Sequence, residues 1–265
     1  MTANNNGFPQ LFVTDLDGTA LGGEYQPYAR FPDPFSAFLD RLAARGCQWA
    51  ISTTWDVAGQ WQLVLASAVR SRPAYHMAEM GCRVARGTAS GPEFVQPYTT
   101  DTEALVESIN RSHLYPLMND VCGRFKPLRM NFYGHWFDFA PHEDEKEQFL
   151  AHVRSRYANS EALTVIIGGG LVIHARLLEK GRGLREVLRL SGISPDRVVV
   201  AGDSMGGDGT MIQPGLARYG VCPGNADPAL KAHILAHGGA VGQDVSSRGV
   251  IQAFEELAHR NRWDF

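Results

Sequence analysis

The chain has 265 residues, 44% of them hydrophobic and 20% charged, which excludes a largely disordered polymer and suffices for one large α/β domain or two modest ones. Lys and Arg number 25 against 28 Asp and Glu, a formal net charge of −3 with no basic block, which argues against a dedicated nucleic-acid partner. No apolar run reaches bilayer length and the opening MTANNNGF has no basic stretch leading into an apolar one, so a cytoplasmic protein with no membrane partner is expected.

After a polar leader expected to fray, QLFVTDL is a nearly continuous apolar run of the kind buried on both faces of a parallel sheet. Asp33 and Pro34 predict a helix N-cap and first helical position, Phe35, Phe38, Leu39 and Leu42 keep helical spacing, and Gly46 is a natural stop. CQWAIST predicts a second strand, followed by a helix with Val57, Trp61, Val64, Leu65 and Ala68 on one face. Strand, helix, strand, helix is the order of a parallel α/β sheet.

From Gly81 to about Ala175 the pattern changes. Short β-rich pieces, CRVARG, LRMNFYG, HWFDFA and LTVIIGGG, surround two helical stretches, DTEALVESINRSH and EDEKEQFLAHVRSRY, and predict a separate α+β module. From Lys180 the α/β alternation resumes with GRGLREVLRLSG as helix, RVVVAGD and YGVCPG as strands, and ADPALKAHILAHG and VIQAFEELAHR as helices. The expected organisation is a discontinuous Rossmann-like core with a parallel sheet, residues 1–80 and 177–265, carrying an inserted α+β domain at 81–176. Four scattered cysteines, Cys47, Cys82, Cys122 and Cys222, form no CxxC pair and predict reduced, mostly buried thiols.

The sharpest chemical signal is TDLDGT (residues 14–19), where a buried-type strand runs into two aspartates. Ligands bind beyond the carboxyl ends of parallel strands, so Asp15 and Asp17 are well placed, and Gly18 permits a tight backbone departure. VVVAGDSMGGD repeats the arrangement with Asp203, and Asp208 follows five residues later. If the two strands are neighbours, three or four carboxylates converge. Two unit charges about 4 Å apart repel by about 4 kcal/mol at an effective dielectric near 20, so the cluster calls for a cation, and oxygen ligands of this type suit Mg²⁺. A phosphate would complete such a site, with Thr53 at the end of the second strand as hydroxyl donor and Lys180 as point charge.

Taken in order, DLDGT, IST, EKGRGL and AGDSMGGD resemble the four motifs of haloacid dehalogenase superfamily phosphatases, over nearly the whole chain. AEMGCRV is similar to the entry into their cap, and GNADPALK and SSRGVIQAFEEL to the segments after the last motif. The insertion resembles the α/β caps of sugar-phosphate phosphatases, and LRMNFYG and VIIGGG resemble the sucrose-phosphate phosphatase group within them. The resemblance implies Mg²⁺-dependent hydrolysis of a small phosphomonoester, a sugar phosphate, through an aspartyl-phosphate. Asp15 is then the nucleophile and Asp17 the acid and base. Thr53 and Lys180 would bind phosphate. Asp15, Asp203 and the Asp17 carbonyl would hold the metal, with Asp208 ligating it or standing behind it. Thr53 is preferred to Ser52 and Thr54 by strand alternation and by alignment with the family pattern.

This sequence departs from many relatives at two points: Met-Gly-Gly precedes the second Asp of the last motif where many relatives have Gly-Asn, one residue shorter, and Trp55 stands where an Arg is common. Asn225 reads either as a helper of the last motif or as a turn and helix-cap residue. Three other functions stay open: a phosphomutase of the same superfamily, a non-enzymatic sugar-phosphate-binding protein, and a kinase of NAD or a lipid, suggested by GGDGTMI (residues 206–212). In the insertion, Arg124, Lys126, Arg129, His135 and Trp136 could meet a sugar or a second anion, while Phe132 and Phe137 read as hairpin core.

Overall fold

The computed structural model describes residues 7–22, 30–132, 135–167 and 170–265, so the polar leader and part of the VIIGGG stretch lie outside the described residues. The chain divides into two compact units, one made of everything up to Thr99 and from Glu179 onward, the other of Thr100–Leu178.

In chain order the first unit begins with β1 (Leu11–Thr14), α1 (Asp33–Ala44), β2 (Gln48–Ser52), α2 (Val57–Ala66), β3 (Tyr75–Ala78), β4 (Arg83–Thr88) and β5 (Gly91–Phe94). Then come α3 (Tyr98–Ile109), α4 (Tyr115–Arg124), β6 (Pro127–Phe132), β7 (Trp136–Pro141), α5 (Lys146–Tyr157), β8 (Leu163–Ile167) and β9 (Leu171–Ala175). The first unit resumes with α6 (Lys180–Ser191), β10 (Val198–Ala201), β11 (Tyr219–Cys222), α7 (Pro228–Ala236), β12 (Ala240–Val241) and α8 (Ser246–Arg260). Among the described residues no helix is long and apolar enough to cross a membrane.

The large sheet runs β12-β11-β10-β1-β2-β3-β4-β5, parallel from β12 to β3 and antiparallel for the last two strands. Alternation splits β1 between two cores. Phe12 packs edge-on to Phe38 of α1 at 5.3 Å and Phe254 of α8 at 5.8 Å. Leu11 and Val13 join Val198, Val200, Leu184 and Val187 on the opposite face. All four β1 residues are buried, and each large apolar side chain contributes about 1.5–3 kcal/mol by leaving water. Chain order reverses at β1, with β2 on one side and β10 on the other, which makes the β1–β10 crevice the ligand position of an open α/β sheet.

The second unit carries a four-stranded antiparallel sheet, β6-β7-β9-β8. Phe137, Phe139, Leu171 and Ile173 pack against Leu117 and Val121 of α4 and Phe149 and Val153 of α5, with Phe139 and Phe149 stacked 5.2 Å apart. Asp120 joins the two helices, pairing with His152 Nε2 and accepting from the Tyr157 hydroxyl, each at 2.6 Å.

Four expectations need correcting. CRVARG does not belong to the inserted module: as β4 it pairs antiparallel with β3 and extends the large sheet, because Val84 is buried among the apolar side chains of that sheet. The stretch expected as one helix over 101–113 ends at Ile109, passes through a π-turn at Asn110–Leu114 and is followed by α4, which the sequence did not suggest although Pro116 sits in its first turn. Asp33 is the first helical residue of α1, not its cap, with Pro32 in the cap position. Phe137 is buried hairpin core, but Phe132 is 44% exposed. All four cysteines are free thiols, and only Cys122 is exposed.

Candidate active site

The register of the central strands builds the site. Thr14 of β1 lies level with Ala201 of β10 and Ile51 of β2, and the Asp15 amide donates to the Ala201 carbonyl at 3.0 Å. The residues that follow these strands therefore leave the sheet side by side. Asp15, Asp203 and Asp208 offer carboxylate oxygens that all lie within 4.8 Å of one another.

Lys180, the first residue of α6, places Nζ 2.6 Å from Asp15 Oδ1 and 2.7 Å from Asp208 Oδ1, with all three side chains buried. Burial disfavours the charged ammonium, but the two carboxylates outweigh it and hold the lysine above its usual range. Burial raises the Asp15 carboxyl; Lys180 opposes that shift and Asp208 adds to it. Asp203 is pushed up to about 6, first by burial and then by Asp208. One lysine is thus set against three acidic groups.

Asp208 faces inward. Its Oδ2 accepts from the backbone amides of Asp203 at 2.9 Å and Ser204 at 3.0 Å, and its Oδ1 is taken up by Lys180. The GGDGT stretch that suggested a kinase thus has its acidic group turned onto the protein's own backbone. Two glycines are required by close approach. A Cβ on Gly18, whose φ is +74°, would stand 2.1 Å from Asp203 Oδ2, and one on Gly202 would stand 2.3 Å from Asp208 Cβ.

Asp17 is exposed on the turn after β1, and its Oδ2 accepts from the Trp55 indole Nε1 at 2.7 Å. Thr53 is buried; its amide donates to Met77 O at 3.1 Å and its carbonyl accepts from Met80 N at 3.2 Å. The Ser52 hydroxyl is buried with no hydrogen-bond partner among the described residues, and Thr54 is half-buried. Asn225 donates to the Gly18 carbonyl at 2.8 Å and accepts from the Ser246 amide at 2.7 Å, clamping the turn that carries Asp17.

Every sequence-predicted residue of the core thus sits on the loops at the carboxyl ends of β1, β2 and β10 or at the start of α6. Sequence reading missed the Lys180–Asp208 contact, the Trp55–Asp17 bond and the clamp by Asn225. The sequence marked Trp55 as a departure from a common Arg but gave no sign of its bond to Asp17. In the other unit, Arg124 pairs with Asp120 at 2.7 Å and Arg129 forms a two-pronged pair with Asp138 at 2.9 and 3.1 Å, so both guanidinium groups are already engaged.

The family model for haloacid dehalogenase-like hydrolases matches residues 118–254. The fold is similar to that of the sucrose-phosphatase from Synechocystis sp., solved with sucrose and phosphate, with a TM-score of 0.63, 16% identity, and 97% of this chain and 100% of that one covered. It is also similar to a protein from Thermoplasma acidophilum, with a TM-score of 0.62, 14% identity and coverage of 94% and 98%. A haloalkanoate-superfamily phosphatase from Bacteroides thetaiotaomicron matches with a TM-score of 0.54, 13% identity and coverage of 88% and 91%. No curated protein sequence matches.

Proposed function

The chain belongs to the haloacid dehalogenase-like hydrolases, and from that premise we propose that it hydrolyses a small phosphomonoester, a sugar phosphate, with Asp15 as nucleophile and Mg²⁺ as cofactor. One observation carries the reading: a carboxylate at the end of the central strand, bonded at 2.6 Å to a buried ammonium and facing a second carboxylate from the neighbouring strand.

The donor set fits a hard divalent cation. Buried carboxylates outnumber the one lysine that faces them, and Asp15 and Asp203 both resist ionisation without a further positive charge. Asp15, Asp203 and the Asp17 carbonyl would hold the ion, while Asp208, with both oxygens occupied, holds Lys180 and the loop after β10. When bound, Mg²⁺ supplies charge neutralisation for the carboxylates and the phosphoryl oxygens.

In the first step an Asp15 carboxylate oxygen bonds to phosphorus, the bond to the sugar oxygen breaks, and Asp17 gives that oxygen its proton. In the second, Asp17 takes a proton from water as the water oxygen attacks phosphorus, and the acyl-phosphate bond to Asp15 breaks. Lys180 and the Thr53 hydroxyl bind the phosphoryl oxygens, since this chemistry depends mainly on position and charge. The inserted unit, residues 100–178, is assigned the substrate-selecting cap. A sugar phosphate is favoured by the likeness to a sucrose-phosphatase over 97% of this chain and 100% of that one.

Phosphate release measured across sugar phosphates, nucleotides and phosphoglycolate, with and without Mg²⁺, tests the reading. Mg²⁺-dependent release that vanishes in Asp15→Asn is expected. Full activity in EDTA overturns the metal, and an active Asp15→Asn overturns the nucleophile. Transfer of phosphate within a sugar without release would make the protein a mutase.

A further inference from the structure

We propose that Trp55 is a positioning residue that orients the Asp17 carboxyl for proton transfer to the leaving group, an inference that rests on the phosphatase reading above. Its indole Nε1 donates to Asp17 Oδ2 at 2.7 Å. Among the described residues Trp55 is the one side chain that hydrogen-bonds this carboxylate. An indole N–H donates and never accepts, so it cannot compete for the proton that Asp17 carries. Tethering Oδ2 leaves Oδ1 to face the reacting oxygen.

Such a tether matters because the Asp17 side chain is exposed and is followed by Gly18, a residue with φ of +74°. Position is what matters for proton transfer: a misplacement of about 1 Å can cost about a hundredfold in rate.

The backbone of Trp55 is itself anchored. Its carbonyl accepts from Glu79 N at 3.1 Å and Gln60 Nε2 at 3.3 Å. Gln60 is fully buried and gives a second bond to Met77 O at 3.4 Å, while its Oε1 pairs with His76 Nδ1 at 3.1 Å. The next residue, Asp56, caps α2 by accepting from Gly59 N at 2.6 Å, and the half-buried indole rests on the apolar core beside β2. Contacts running from β3 through α2 therefore fix the backbone of Trp55, whose indole aims its one donor at the acid. Thr53 lies in the same loop, so one short segment serves both the phosphate and the leaving group.

The test separates a proton-transfer role from simple packing. Trp55→Phe keeps an aromatic ring and removes the donor; kcat/KM is measured for a sugar phosphate that the wild type hydrolyses and for p-nitrophenyl phosphate, whose leaving group departs without a proton. The expected result is a loss of at least about tenfold on the sugar phosphate and of less than about threefold on p-nitrophenyl phosphate, with Asp17→Asn showing the same selectivity more strongly. Trp55→Gln, which restores a donor without the ring, should recover part of the lost selectivity and keeps the test open if Trp55→Phe does not fold. Equal losses on both substrates, or no loss on either, overturn the proposal while leaving the phosphatase reading intact. A wild-type protein that releases phosphate from neither ester overturns both.

Discussion

Lys180 Nζ lies 2.6 Å from Asp15 Oδ1, joining the first residue of α6 to the end of β1 across 165 positions of sequence. Because the same ammonium also meets Asp208 at 2.7 Å, the lysine neutralises two buried carboxylates at once. Removing one partner of a buried charged set leaves the others uncompensated, so Lys180→Met is expected to cost about 3–5 kcal/mol of stability as well as activity. Urea unfolding and phosphate release on the same preparation check this; an unchanged midpoint would mean that the pair contributes nothing net.

Asp15→Asn should behave in the opposite way. Burial holds the Asp15 carboxyl above its ordinary range, so in the metal-free protein the ionised form is disfavoured by folding, and stability falls as pH rises through the region where the unfolded chain has already lost that proton. A neutral amide escapes this cost, so Asp15→Asn should melt higher than the wild type at neutral pH without metal while turning over nothing. A lower melting temperature would show that the bond to Lys180 outweighs burial.

Mg²⁺ should raise the melting temperature of the wild type, since a ligand at about a hundred times its Kd adds about 2.7 kcal/mol to the folded state. Asp203→Asn should abolish most of that rise and leave the metal-free melting temperature equal or higher, because Asp203 is itself pushed up to about 6 by burial and by Asp208. An undiminished Mg²⁺ response in Asp203→Asn would remove it from the metal site.

Gly18→Ala places a Cβ 2.1 Å from Asp203 Oδ2 at a residue with φ of +74°. The backbone conformation alone costs an L-residue about 1–2 kcal/mol, and the collision must in addition displace Asp203. Both the melting temperature and the Mg²⁺ response are therefore expected to drop, and a variant with wild-type activity would show that the turn adapts freely.

His76 is fully buried in β3, and burial lowers its pKa from 6.5 to about 4. Between those values the unfolded chain binds more protons than the folded one. Stability therefore rises with pH across that window, is complete above about 6.5 and falls as the solution is acidified, by about 3 kcal/mol in all. Chemical unfolding of wild type and His76→Gln at pH 4.5 and 7.5 measures this as a smaller pH dependence in the variant; equal slopes would assign the acid sensitivity elsewhere.

Much of the molecule was legible because local rules govern it. The nearly continuous apolar run QLFVTDL announced a parallel central strand, and aspartates within two residues of the ends of β1 and β10 emerge at the carboxyl edge of a sheet. The insertion boundary was not legible, since CRVARG is an antiparallel strand in either module and only its pairing with β3 assigns it to the large sheet. The second helix of the insertion was hidden for a related reason, in that a π-turn and Pro116 interrupt the helical period without ending the helical layer.

The amino-acid order by itself determined the fold class and pointed to the acidic, hydroxyl and ammonium groups of the candidate site, because strand burial and turn chemistry depend on neighbours within a few residues. Only the tertiary structure decided who bonds to whom: that Asp208 turns inward to Lys180 and the backbone, that Asn225 clamps the Gly18 turn, and that an indole from the loop after β2 holds Asp17. Apart from the bond of Asp208 to the backbone of its own loop, those contacts join residues 28 to 207 positions apart, and their geometry follows from sheet register and helix placement, which no local pattern of side chains encodes.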